Sequence, residues 1–145
     1  MNAVDTNVLL YAHDPRDARK QAIAETLVES LADVVLPWQV ACEFLSASRK
    51  LQAQGFSFAE AMQEIRTLRQ VWSTLLPDWN AIEKANDLMQ RYSLSWWDSL
   101  LIAACLLAGV RTLYSEDYDG YATIDGMELR NPFRRIPTDS EAVKI

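Results

Sequence analysis

The chain has 145 residues, the size of one domain with one core; half of it is hydrophobic and 23 % is charged, a composition that argues against disorder. Fourteen Lys and Arg against 20 Asp and Glu leave a net charge of −6 and a pI of about 4.7, which argues against a broad basic surface for non-specific binding to nucleic acid or anionic membrane. The longest apolar run, Leu100 to Val110, falls short of the ~20 residues of a membrane helix, no basic leader or cleavage signal opens the chain, and Cys42 and Cys105 both lie in apolar stretches, so a cytoplasmic protein with reduced, buried thiols is expected.

In chain order, Asn2 to Val4 reads as a short buried strand, and Asp5-Thr6-Asn7 supplies helix-capping chemistry ahead of Val8-Leu9-Leu10. Pro15 breaks that segment. Ala18, Ala22, Ile23, Leu27, Val28 and Leu31 recur at helical spacing and predict a helix over Asp17 to Ala32. Val34-Val35-Leu36, closed by Pro37, is a second strand, and helical periodicity returns from Trp38 to Leu51, ending at Gly55. Ser57-x-x-Glu60 is a capping box opening a helix with Phe58, Ala61, Met62, Ile65, Leu68 and Trp72 on one face. Leu75-Leu76-Pro77 is a candidate third strand, and Ile82, Ala85, Leu88, Met89 and Tyr92 mark another helix. Asp98 to Ala108 is apolar nearly all round, as a central buried helix must be. Gly109 caps it, Thr112 to Tyr114 is a strand, and a turn-rich loop runs to Gly126. Ile136 is placed in a last edge strand, closing a single domain over residues 1–137, with a frayed tail over residues 138–145. Short strands alternating with helices define an α/β fold with a doubly wound parallel sheet, in which ligands bind beyond the carboxyl ends of the strands.

That rule singles out acidic residues. Asp5 directly follows the first strand, Asp117 follows the strand ending at Tyr114, Glu43 lies in the helix after the second strand, and Asp98 opens the buried helix beside Trp96, Trp97, Leu100 and Leu101. Each has a structural alternative. Asp5 can be an N-cap, Asp98 can close a capping box with Ser95, Asp117 can be solvated turn chemistry, and Glu43 can sit on an exposed helical stripe. Together the alternatives weaken, because four like charges meeting in a cleft cost several kcal/mol unless their pKa values rise or cations sit between them. An oxygen-only set without His or Cys suits Mg²⁺ or Mn²⁺ rather than Zn²⁺. Two such ions would bring the net charge from −6 to −2. Paired divalent ions on carboxylates are a known device for hydrolysing phosphodiesters.

The ordered set Asp5-Thr6-Asn7, Glu43, Asp98 and Ser115-x-Asp117 resembles the PIN domain, and within it the VapC toxins of type II toxin–antitoxin systems. The likeness extends through Val4 to Leu9, Ser95 to Ala104, Leu113 to Asp117 and Asn131-Pro132-Phe133, and so covers nearly the whole chain. The resemblance implies a PIN-like three-layer fold with a short central parallel sheet between helices. It also implies an endoribonuclease dependent on Mg²⁺, with Mn²⁺ as a substitute, that hydrolyses RNA by metal-activated water and is held off by a cognate antitoxin. Carried over residue by residue, Asp5, Glu43, Asp98 and Asp117 would be the metal-binding catalytic carboxylates, with Thr6 and Ser115 as supporting hydroxyls. A further acidic position is common in the family near Asp117. Here Glu116 and Asp119 are both available, and Asp119 is preferred because Glu116 alternates away from Asp117 in an extended segment. The implied partners are RNA, an antitoxin packed beside the helices Asp17 to Ala32 and Trp38 to Leu51, and a second copy of the chain.

Other residues carry less. His13 reads as a loop or surface residue, and the five tryptophans as core or interface, with Trp97 the one candidate for nucleotide contact. Three basic groups, Arg16-Arg19-Lys20, Arg49-Lys50 and Arg130-Arg134-Arg135, are candidates to border the acidic cleft and grip phosphates. A competing class is a non-enzymatic Mg²⁺-binding signalling or interaction module of receiver-like doubly wound fold. It would need a lysine near the carboxylates after a late strand, where only Lys84 and Lys144 follow Lys50.

Overall fold

In the computed structural model, residues 1–135 are described; the expected strand at Ile136 and the tail lie outside them. The elements in order are β1 (Asn2–Val4), α1 (Thr6–Tyr11), α2 (Ala18–Ser30), β2 (Val35–Pro37), α3 (Trp38–Ala47), a 3-10 segment (Ser48–Gln54), α4 (Phe58–Val71), β3 (Ser73–Leu75), α5 (Trp79–Arg91), α6 (Trp96–Leu107), β4 (Thr112–Tyr114), β5 (Thr123–Ile124) and β6 (Met127–Arg130). A four-stranded sheet runs β1-β4-β6-β5 and a two-stranded sheet pairs β2 with β3. A parallel bridge from Asn2 to Val34 joins the two at β1. All pairs are parallel except the β5–β6 hairpin.

The strands are short and their inward residues are buried to completion: Ala3, Val4 and Leu113 have no exposed surface, and Leu36 has almost none. Helix α6 is the middle of the molecule, with Leu101, Ile102, Ala103 and Cys105 buried; burial pushes the Cys105 thiol up to about 12, so it is inert. Cys42 departs from expectation. It lies on the exposed side of α3, because Val40 and Phe44 take that helix's inward face.

Several boundaries move for local reasons. The third strand is Ser73–Leu75, two residues earlier than the apolar run suggests, with Leu76 73 % exposed beyond it. The helix after β2 stays α only to Ala47 and tightens into the 3-10 segment before Gly55 ends it at φ +88°. α6 starts at Trp96, capped by Ser95, whose Oγ accepts from Asp98 N at 3.1 Å. His13 is packed rather than free, stacked on Phe56 at 4.3 Å with Glu64 3.7 Å from Nε2. Trp72 is in the core, whereas Trp38, Trp79 and Trp97 are exposed and Trp96 is half-buried.

The largest departure is the segment expected to be loop. Its end holds β5 and the turn of a hairpin that β6 completes beyond it, made by Asp125 and Gly126 with φ of +47° and +85°, the two left-handed positions of a tight hairpin turn. Asp125 also receives Lys84 Nζ at 2.6 Å, two Nη atoms of Arg91 at 2.7 and 2.6 Å and the Tyr92 hydroxyl at 3.2 Å, tying α5 to the sheet. Asp125→Ala is expected to cost about 2 kcal/mol, from the loss of the short polar side chain that eases a left-handed backbone and from the lost ion pairs. Asp125→Asn, which tolerates that backbone, should cost less. Urea midpoints of the two variants check the order. The same cations hold the Asp125 carboxyl well below the usual range, so its contribution is present above pH ~4 and is lost as pH falls through the folded-state value.

Candidate active site

Strand geometry brings Asp5 and Ser115 together. β1 and β4 are parallel neighbours in register Val4 to Tyr114, and the ladder continues one residue past both strands. Asp5 N donates to Tyr114 O at 2.8 Å and Ser115 N to Arg130 O at 3.0 Å. The residues following β1 and β4 therefore leave the sheet side by side at its carboxyl end. Asp5 then serves as N-cap of α1, Oδ1 accepting from Thr6 N at 2.7 Å, while Oδ2 accepts from Ser115 Oγ at 2.8 Å. The capping reading of Asp5 and its place in an acidic cluster hold at once.

Hydrogen bonds extend from this pair. Thr6 Oγ1 donates to Glu43 Oε2 at 2.9 Å, and Gln39 Nε2, one turn earlier on α3, donates to Glu43 Oε1 at 2.9 Å. Gln39 Nε2 also reaches Trp97 O at 3.0 Å, linking α3 to the first turn of α6. Asn7 Nδ2 donates to Ser115 Oγ and to Asp117 Oδ2, both at 3.1 Å, and Ser115 Oγ accepts from Asp117 N at 3.1 Å. Asp98 Oδ1 accepts from the Tyr118 hydroxyl at 3.2 Å. Gln39, Asn7 and Tyr118 were not assigned roles by sequence reasoning. Only Gln39 had a local signal, its i, i+4 spacing to Glu43.

Charge in the network is unbalanced. Burial, with the nearby charges of Asp117 and Glu43, lifts the Asp5 carboxyl to about 6 despite the bonds from Ser115 and Thr6. Asp117 is raised in the same direction, first by partial burial and then by the carboxylates of Glu116, Asp98 and Asp119, against the bond from Asn7. The Tyr118 phenol is driven well above its usual range by burial and by the charges of Asp5, Asp98 and Asp117, of which Asp98 accepts from its hydroxyl directly. Acids just outside the network each have a cation: Asp14 pairs with Arg16 at 2.9 Å, Glu116 with Lys20 at 2.8 Å and Asp119 with Arg134 at 2.8 Å. Among the described residues Asp5, Glu43, Asp98 and Asp117 have no ion pair. Asp119, the expected additional acid, lies outside the network, held by Arg134 and by Asn131 Nδ2 at 3.2 Å.

The donor set is oxygen alone. Among the described residues no three His, Cys, Asp or Glu side chains enclose a single point as a metal shell does. The hydrogen bonds explain this, since each carboxylate turns an oxygen toward a neutral donor, which lowers the repulsion between them. The unpaired charge and the oxygen donors fit a hard divalent cation, whose arrival would replace some of these bonds.

The PIN domain family model matches residues 3–126, which include all of these side chains. The chain belongs to the PIN domain family. As a PIN domain it is similar in fold to solved structures at low identity. VapC20 of Mycobacterium tuberculosis, described as a sarcin-ricin loop cleaving toxin, matches with a TM-score of 0.67 at 20 % identity over 88 % of this chain and 99 % of that one. A toxin–antitoxin complex from Klebsiella pneumoniae gives 0.68 at 18 % over 91 % and 98 %. VapBC2 of Rickettsia felis, bound to a fragment of promoter DNA, gives 0.64 at 12 % over 90 % and 97 %. No curated protein matches the chain in sequence. Among the described residues of this PIN domain, no lysine after a late strand, as a receiver-like module requires, stands at the carboxylates. Lys84 sits on α5, paired with Asp125 and Asp87, and Lys144 lies outside the described residues. Among the described residues no helix is long and apolar enough to cross a membrane.

Proposed function

We propose that this PIN domain is the toxin of a VapBC-type toxin–antitoxin pair and acts as a Mg²⁺-dependent endoribonuclease, with Mn²⁺ able to substitute. The observation that carries the reading is the set of four carboxylates, Asp5, Glu43, Asp98 and Asp117, left without a cation while the acids around them are paired. These four would hold the divalent metal. When bound, it supplies a water of lowered pKa and stabilises charge on the phosphate oxygens. The chain's own part is positioning. Thr6 and Gln39 hold both oxygens of Glu43, Ser115 and Thr6 N hold Asp5, Asn7 holds Asp117, and Tyr118 holds Asp98.

Purified protein is expected to cut RNA with Mg²⁺ or Mn²⁺, to stop in EDTA, and to lose cleavage in Asp98→Asn without loss of fold. An Asp98→Asn protein that cuts as fast as the parent under the same metal sinks the proposal. Thr6→Val keeps the shape of the side chain but removes the donor to Glu43, so activity should fall ~10–100-fold, the size of effect seen when an outer-shell partner of a ligand is lost. Thr6→Ser should retain most of it; cleavage assays on the two proteins compare them.

The partner reading rests on exposed apolar surface. A cavity of about 380 Å³ beside α3 is lined by Leu36, Trp38, Leu45, Ile65 and Leu75, and suits an apolar antitoxin segment. A second face carries Leu76, Trp79 and Leu107, all more than half exposed, and suits a second copy of the chain. The similar solved structures include toxin–antitoxin complexes, which supports the first of these partners.

A further inference from the structure

The ladder that positions Ser115 also positions a cleft. Ser115 N bonds Arg130 O, and a cavity of about 250 Å³ is lined by both residues. Its lining includes Ser115, Tyr118, Asp119, Arg130, Asn131 and Arg134. Two of these, Ser115 and Tyr118, are bonded directly to Asp5 and Asp98. The cleft thus shares two wall residues with the carboxylate network, and a molecule lying in it stands beside the site, with Ser115 and Tyr118 between it and Asp5 and Asp98.

The lining carries two guanidinium groups, each with a carboxylate partner: Arg134 with Asp119, and Arg130 with Glu128 just outside the lining. Asp119 shows what that charge is arranged to hold. Its Oδ1 takes both Asn131 Nδ2 at 3.2 Å and Arg134 Nη2 at 2.8 Å, so one anionic oxygen already sits on a converging pair of donors. Arg130 is steadied from behind by Glu128, which accepts from Nε at 3.0 Å and from Nη2 at 2.6 Å. A guanidinium has five N–H donors, and these bonds leave several on each arginine for a ligand. A cavity of about 250 Å³ lies next to Asn7 and Glu116 on the other side of the network, and it contrasts with this one. There Arg16 is locked to Asp14 through two nitrogens, where Arg134 meets Asp119 through one, and Glu116 is already paired with Lys20.

We propose that the cleft between Ser115 and Arg134 is the subsite for the nucleotide next to the scissile phosphate, with Arg134 and Asn131 gripping a backbone phosphate in place of Asp119. The inference rests on the ribonuclease reading and adds to it a direction for the strand, out of the carboxylates toward β6 and Asn131. At about 250 Å³ the cleft has room for part of a single nucleotide, and the sequence-tolerant grip expected there is on its phosphate. Asp119 is then a stand-in for substrate that an incoming phosphate displaces, and its removal should favour binding.

The test is fluorescence anisotropy of a labelled single-stranded octaribonucleotide, with Ca²⁺ as the metal, over a series of salt concentrations. Arg134→Ala removes a side chain that is 64 % exposed, so the fold is kept. It should weaken binding roughly fivefold or more and flatten the slope of log affinity against log salt by ~0.7, the loss of one phosphate contact on a single strand. Asp119→Asn should bind more tightly than the parent, and Arg16→Ala should bind within twofold of it. Equal losses in Arg134→Ala and Arg16→Ala, or an Arg134→Ala protein with the parent's affinity and salt slope, overturn the subsite while the ribonuclease reading stands. A parent that binds no RNA strand overturns the ribonuclease reading itself.

Discussion

Asp5→Asn is expected to lower RNA cleavage by ~10³-fold or more and, in the same protein without metal at neutral pH, to raise stability. The two effects have opposite signs because one carboxylate causes both. As a ligand, Asp5 supports metal chemistry worth several kcal/mol of barrier, and each 1.36 kcal/mol is tenfold in rate. As a buried charge, it is a liability. Its carboxyl stands at about 6 against 3.8 in the unfolded chain, which corresponds to about 3 kcal/mol of destabilisation once it is ionised. The amide removes that charge and can still accept from Thr6 N. Ser115 must turn its hydroxyl hydrogen elsewhere, so the observed gain should be smaller than the full amount. Urea denaturation in EDTA and a cleavage assay on the same preparation give both numbers. A variant that loses activity and is also destabilised would mean that Asp5 is structural, and the acidic network would no longer read as a site held ready for a cation.

Metal-free protein is expected to lose stability as pH rises from ~4 to 6, and Mg²⁺ to restore it above that range. The sign follows from Asp5. Between its unfolded value of 3.8 and its folded value of about 6, the native state keeps a proton that the unfolded chain has released, so stability falls with rising pH. Asp117 is raised too and adds in the same direction. Asp125 works the other way, and its ion pairs are lost as pH drops below ~4. The metal-free protein should therefore be most stable at about pH 4–5. Mg²⁺ at a hundred times its Kd should add ~2.7 kcal/mol at pH 7.5, and clearly less at pH 5, where it must first displace the Asp5 proton. Thermal melts with and without Mg²⁺ at the two pH values measure this directly. Equal metal stabilisation at both pH values would separate the ion from Asp5.

Which parts of this could be read from the chain follows from how local each signal is. Asp5 and Asp117 were legible because each comes just after a short apolar run, and a parallel sheet sends such residues to one edge. Ser95 and Gly55 announced the start of α6 and the end of the 3-10 segment by chemistry within one turn. The roles of Asn7 and Tyr118 had no such signature, because their partners lie 108, 110 and 20 residues away and only the folded chain supplies them. The hairpin β5–β6 went unread although Asp125-Gly126 is a strong turn signal, since Met127 to Arg130 has only two apolar residues in four and gains its strand character from pairing with β4. The partner of Asp119 was a different case. Alternation correctly separated Glu116 from Asp117, but it carries no information about Arg134, whose guanidinium claims the Asp119 carboxylate from fifteen residues away.

The most direct measurement is the anomalous difference density of a crystal soaked in Mn²⁺. A peak among the carboxylates of Asp5, Glu43, Asp98 and Asp117 is expected, with at least one of the bonds from Asn7, Gln39 or Tyr118 broken to admit the ion. A well-diffracting crystal with no peak among these side chains, or with its peak at another cluster and the Asp5 network unmoved, would contradict it.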